Sequence, residues 1–81
     1  MVQGKLGVIK RKLYGKYAVY DTFGKEISEL SAGTMVLISL PRSRGGYLRV
    51  MSKIDFNGLD YYAVELPHVS LNGLICRILL S

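Results

Sequence analysis

Cations interleaved with aromatic rings are the one chemistry-bearing pattern in this 81-residue sequence. Lys10, Lys12, Tyr14, Lys16 and Tyr20 form a first group; Arg42, Arg44 and Tyr47 form a second, which Arg49 and Lys53 continue. Lysine and arginine neutralise phosphates and release condensed counterions, while tyrosine faces stack on bases, so these residue types together suit contact with a nucleic-acid strand. A non-catalytic, weakly sequence-specific nucleic-acid binder, of DNA or RNA, is the function expected on this basis. The bland account of the first group is a solvated sheet face whose lysines discourage edge pairing. For the second group it is that Arg49 is answered by Glu65 across a hairpin, which leaves Arg42 and Arg44 as the better candidates.

No other side-chain set offers chemistry. His68 and Cys76 are the sole pair resembling a thiol nucleophile and its base, but Ile75 and Ile78 place the cysteine in apolar company, where its pKa should rise. The sequence has no phosphate-cradling or dinucleotide glycine motif, no histidine cluster and no paired carboxylates on one face. Neither an enzyme nor a cofactor is expected. A lone cysteine rules out an intrachain disulfide and any multi-cysteine metal site, which suits a reducing, cytoplasmic setting. The amino terminus lacks the apolar region expected of a signal peptide, and no run approaches the length of a membrane span.

Composition narrows the class further. With 49% hydrophobic and 21% charged residues the chain has a globular make-up, and its net charge of +5 favours polyanionic partners. The charge is blocked: residues 1–20 and 31–54 contain no aspartate or glutamate. The apolar residues are also in surplus for so short a chain, with runs at Met35–Leu40 and Leu74–Leu80 that a small barrel cannot readily hide on both faces. The alternative function is therefore a protein-interaction or oligomeric assembly module that presents one of these strands to a second copy or another protein.

The elements that would position these residues are short strands. Asp21-Thr-Phe-Gly24, Asp55-Phe-Asn-Gly58 and Ser70-Leu-Asn-Gly73 share one grammar, Asp or Ser first and Gly fourth, which predicts three-residue hairpin loops; Leu13-Tyr14-Gly15 offers a fourth. The register expected at the first two turns aligns Ile9, Val19 and Ile27 as core, with Arg11 and Glu29 as a charge pair at its border. Lys10, Lys12, Lys16, Ala18, Tyr20, Glu26 and Ser28 then share the opposite face, which is polar and mostly basic. Around Asp55 the same rule pairs Val50 with Val64, Met51 with Ala63 and Arg49 with Glu65. Ser31-Ala32-Gly33 predicts a corner. No stretch has the spacing of an amphipathic helix, so residues 1–81 read as a single all-β domain, a small antiparallel barrel of SH3-like or OB-like size with six to seven strands. A simple up-and-down strand order would put the 13–15 tip and the 41–46 loop at opposite ends.

Overall fold

Short β-prone segments bounded by turns build seven strands, whose inward positions are apolar. They are β1 (Lys5–Arg11), β2 (Tyr17–Tyr20), β3 (Glu26–Leu30), β4 (Met35–Pro41), β5 (Tyr47–Phe56), β6 (Tyr61–Ala63) and β7 (Ile75–Ile78). They are seen in a computed structural model that describes residues 4–78, so Leu79 and Leu80 of the last apolar run lie outside the described residues. Every strand pair is antiparallel, and the order β3-β2-β1-β7-β4-β5-β6 makes a curled half-barrel. The all-β expectation holds: helical geometry among the described residues is limited to one 3-10 turn at Leu13–Gly15.

The strand order departs from simple up-and-down succession, because β7 enters between β1 and β4. Both neighbours run antiparallel to β7 and therefore parallel to each other in direction. The 13–15 tip and the 41–46 loop consequently leave the sheet on the same side, two strands apart, and not at opposite ends. Burial explains the choice: the two most apolar strands sit in the sheet interior, where Val36 and Ile38 of β4 and Cys76 and Ile78 of β7 reach the core.

The predicted corner forms at residues 31–34. Gly33 takes φ +95°, a conformation only glycine adopts without strain, and its N–H donates to the Ile54 carbonyl at 2.7 Å. The Ile54 N–H returns a bond to the Thr34 carbonyl at 2.8 Å, so the corner leaving edge strand β3 is tied to β5. The Arg11 guanidinium, 3.0 Å from the Asp60 carboxylate, spans the same gap and closes the curl.

Registers divide into those the turns specify and those they do not. In the first hairpin Ile9 faces Val19 and Arg11 faces Tyr17, as expected, and the Lys12 N–H meets the Lys16 carbonyl at 2.6 Å. The second hairpin keeps Tyr20 opposite Glu26 beside its Asp21 turn, then shifts by one at a bulge, so Val19 faces Ser28 and Tyr17 faces Leu30. Leu30 therefore joins the core, Ile27, expected opposite Val19, packs only part-buried against it, and Arg11 finds Asp60 instead of Glu29. Around Asp55 the expected pairing is corrected by three residues: Ile54 faces Ala63, and Phe56 faces Tyr61 with ring centroids 4.8 Å apart. Asn57 causes this, since its side-chain oxygen accepts from the Leu59 and Asp60 N–H groups at 2.9 Å and holds a longer loop. An odd shift turns β6 over, so Ala63 faces the core and Arg49 lies opposite Ser39, away from Glu65. The Ser70–Gly73 turn makes no hairpin; it docks on β1 through Gly73 N–H to the Ile9 carbonyl at 2.7 Å.

The core is Ile9, Val19, Leu30, Val36, Ile38, Ile54 and Leu71 with Cys76. One polar side chain joins it: the Ser52 hydroxyl donates to the Lys53 carbonyl and accepts from the Glu65 N–H, each at 3.1 Å. Ser52→Ala leaves the Glu65 N–H short of that acceptor and is expected to cost about 1–3 kcal/mol, read as a lower urea midpoint at unchanged slope.

Candidate nucleic-acid interface

Charge blocking in the sequence becomes geometry in the sheet. Residues 1–20, 31–54 and 66–81 hold no carboxylate side chain, and these three segments supply β1, β4, nearly all of β5, and β7. The order β1-β7-β4-β5 places them side by side. The acidic residues are left to the Asp21 turn, to β3, to Asp55 near the end of β5, to Asp60 and to Glu65.

Strand alternation then sorts the side chains. Inward positions fill the core, and the outward ones carry Lys10 on β1, Arg77 on β7, and Arg49 and Lys53 on β5. The apolar residues among them are Leu6, Met35, Leu37, Tyr47, Met51 and Ile75, with Met35 41% and Tyr47 57% exposed. The run Met35–Leu40 thus has one buried and one open face, which accounts for its lack of polar alternation. Leu6, Leu37, Ser39, Tyr47, Arg49, Ile75 and Arg77 line a groove of about 290 Å³ on this face. None of Lys10, Arg49, Lys53 and Arg77 forms an ion pair among the described residues.

The β4–β5 loop extends the face. The Arg42 N–H donates to the Gly46 carbonyl and the Gly45 N–H to the Arg42 carbonyl, both at 3.1 Å. This is the hydrogen-bond pattern of the Asp21 hairpin, where the corresponding distances are 2.9 and 3.0 Å. Arg42 and Arg44 therefore stand on a tight hairpin loop next to Tyr47, exposed and without ion-pair partners among the described residues.

The first hairpin group is dispersed differently. Lys12 Nζ lies 2.8 Å from Glu26 and 3.3 Å from Glu29, and Lys16 Nζ lies 3.7 Å from Glu29. The face expected to be mostly basic is a mixed network at the β3 edge. Tyr14 sits at the tip, 97% exposed with φ +64°, and Lys10 Nζ rests 5.9 Å from the Tyr20 ring centroid, a cation-π contact that turns both toward the shared face. Of the sequence candidates, Lys10, Arg42, Arg44 and Tyr47 thus belong with this cationic face and Tyr20 borders it on β2 opposite Glu26, whereas Lys12 and Lys16 are engaged by carboxylates. Arg77 is the residue the sequence patterns passed over. The acid-free stretch after Glu65 was its signal.

The network also fixes a pH response. Hydrogen bonding from Lys12, then the charge of Lys16, holds the Glu29 carboxyl below the usual carboxylate range, and Glu26 followed by Glu29 raises Lys12. A depressed carboxyl stabilises the fold fully above its unfolded-state pKa and loses that contribution as pH falls through the folded value. The raised lysine contributes below its ordinary pKa and stops contributing as pH rises through its folded value. Glu29→Gln should therefore lower the melting temperature near neutrality, with the difference from the parent vanishing in strong acid.

Two further places were candidates for chemistry. A cleft of about 350 Å³ lined by Tyr17, Tyr61, Tyr62, His68 and Asp60 lies where the sheet closes, but its one carboxylate is engaged by Arg11. Cys76 faces the core, and burial pushes its thiol up to about 11. Native protein should resist alkylation at Cys76 and react only when unfolded, which mass spectrometry with and without denaturant will show. Among the described residues no group of three or more His, Cys, Asp or Glu could hold a metal, and no helix is long and apolar enough to cross a membrane. No protein-family model matches the chain, and neither a curated protein nor a solved structure matches it.

Proposed function

We propose that this chain is a non-catalytic, weakly sequence-specific nucleic-acid-binding β domain that takes a phosphate backbone across the outer face of β1-β7-β4-β5. The observation that carries the reading is a sheet face with Lys10, Arg49, Lys53 and Arg77 and a single carboxylate, Asp55 at the far end of β5, continued by Arg42 and Arg44 beside Tyr47. Cations without carboxylate partners keep their charge for phosphates, and a face whose one acid stands at the end of β5 repels few of them. Labelled single- and double-stranded oligonucleotides titrated at two salt concentrations test it. Four phosphate contacts should give a slope of log affinity against log salt of about −3 for single strands. No measurable binding at low salt would end this reading.

The competing reading is an assembly module that uses Met35–Leu40 or Leu74–Leu80. Its β-augmentation form loses support because β4 and β7 each have a hydrogen-bonded neighbour on both sides, which leaves no free edge among their described residues. Its face-to-face form draws on the exposed Leu6, Met35 and Met51. Light scattering across a dilution series separates the two, since a dimer that forms regardless of salt and binds no oligonucleotide would favour assembly.

A further inference from the structure

The groove between Arg49 and Arg77 differs from a plain cationic surface, because its floor is apolar. Leu37 and Ile75 line it together with Leu6, 46% exposed, and Tyr47 stands at one side. Phosphate contact alone does nothing for such a floor. It would stay wet under a duplex, whose base faces are stacked inside and whose backbone is polar.

A second copy of the same face fits no better. Two-fold pairing of identical patches would bring Lys10, Arg49, Lys53 and Arg77 of both copies together, with Asp55 the one carboxylate of the face to answer them. The occupant has to be anionic along its length and apolar between its charges. Unpaired nucleotides have that chemistry: a phosphate on each side of a base whose π-face can lie on tyrosine and aliphatic carbon. Ser39, whose hydroxyl both donates and accepts, is compatible with any base edge.

Building on the proposed nucleic-acid reading, we infer that this groove seats an unpaired base against Tyr47, with flanking phosphates on Arg49 and Arg77, and that the domain therefore selects single strands over duplex. Selection arises because only an unstacked strand offers the base face that covers Leu37 and Ile75. Arginine planes flanking the groove add stacking surface of their own.

The test compares a labelled oligodeoxythymidine, its duplex with oligodeoxyadenosine at equal length, and inorganic polyphosphate as a base-free polyanion. Single strands should bind at least about 10-fold more tightly than duplex, and Tyr47→Ala should weaken single-strand binding by about 10-fold while leaving polyphosphate affinity unchanged. Tyr47→Phe, which keeps the ring, should restore the single-strand affinity. Equal or tighter binding of duplex overturns the inference and leaves the nucleic-acid reading standing, as does a Tyr47→Ala effect equal for oligodeoxythymidine and polyphosphate. Absence of binding by every oligonucleotide at low salt overturns both. Melting curves of the two variants matching the parent establish that the strand is intact.

Discussion

A variant with Lys10, Arg49, Lys53 and Arg77 all replaced by alanine should bind oligonucleotides about 10²-fold more weakly than the parent at low salt, with most of its salt dependence gone. The size follows from exposed charged contacts worth up to about 1 kcal/mol each, and the slope change from about 0.7 counterions released per single-strand phosphate contact. Lys12 and Lys16 supply the contrast. Both are cations of the same chain, but Glu26 and Glu29 hold them at 2.8 to 3.7 Å, so Lys12→Ala with Lys16→Ala should change affinity by no more than about two-fold. Fluorescence anisotropy at several salt concentrations reads both variants. If the Lys12/Lys16 pair proves as damaging as the four-residue set, net charge governs binding and the sheet face has no special role.

The largest effect on stability is expected at Gly7. A Cβ built there would lie 2.5 Å from Val19 Cγ1 and 2.7 Å from the Tyr20 carbonyl oxygen, with Ile27 Cδ1 at 3.3 Å. The carbonyl belongs to the backbone of β2, which cannot retreat without pulling away from β1. Gly7→Ala should cost at least about 2 kcal/mol, and Gly7→Val should exceed about 4 kcal/mol and leave much of a domain this small unfolded at 25 °C. Urea denaturation followed by circular dichroism measures the first; loss of the native spectrum reports the second. An alanine variant that melts like the parent would mean β2 and β3 do not fold over β1 as closely as the distances require.

Legibility in the sequence tracked how local the deciding interaction is. The Ile9 to Val19 pairing could be read because a tight loop from Lys12 to Lys16 sets the parity of both strands within a few residues. The bulge between Val19 and Tyr20 could not, since it rewards Leu30 for reaching a core that strands distant in the chain create. Around Asp55, Tyr61 and Tyr62 made both faces of β6 look alike. The Asn57 side chain decided which loop formed. Similarly, the tyrosine and arginine types of the second basic group were visible from the start, but Arg49's partner was assigned through a register that the structure replaces.

The sequence by itself determined that this protein is a small all-β fold, that tight turns close at Lys12–Lys16 and Asp21–Lys25, and that carboxylates are confined to a few segments, because these depend on residue types and near neighbours. Only the tertiary structure decided that β7 lies between β1 and β4. That insertion is long-range: Ile75 to Ile78 gain burial from strands more than thirty residues away, and no local pattern records the choice. It gathers three acid-free segments into one cationic face and brings Arg77 to Arg49, so the candidate site is a product of strand order acting on a charge pattern already present in the chain.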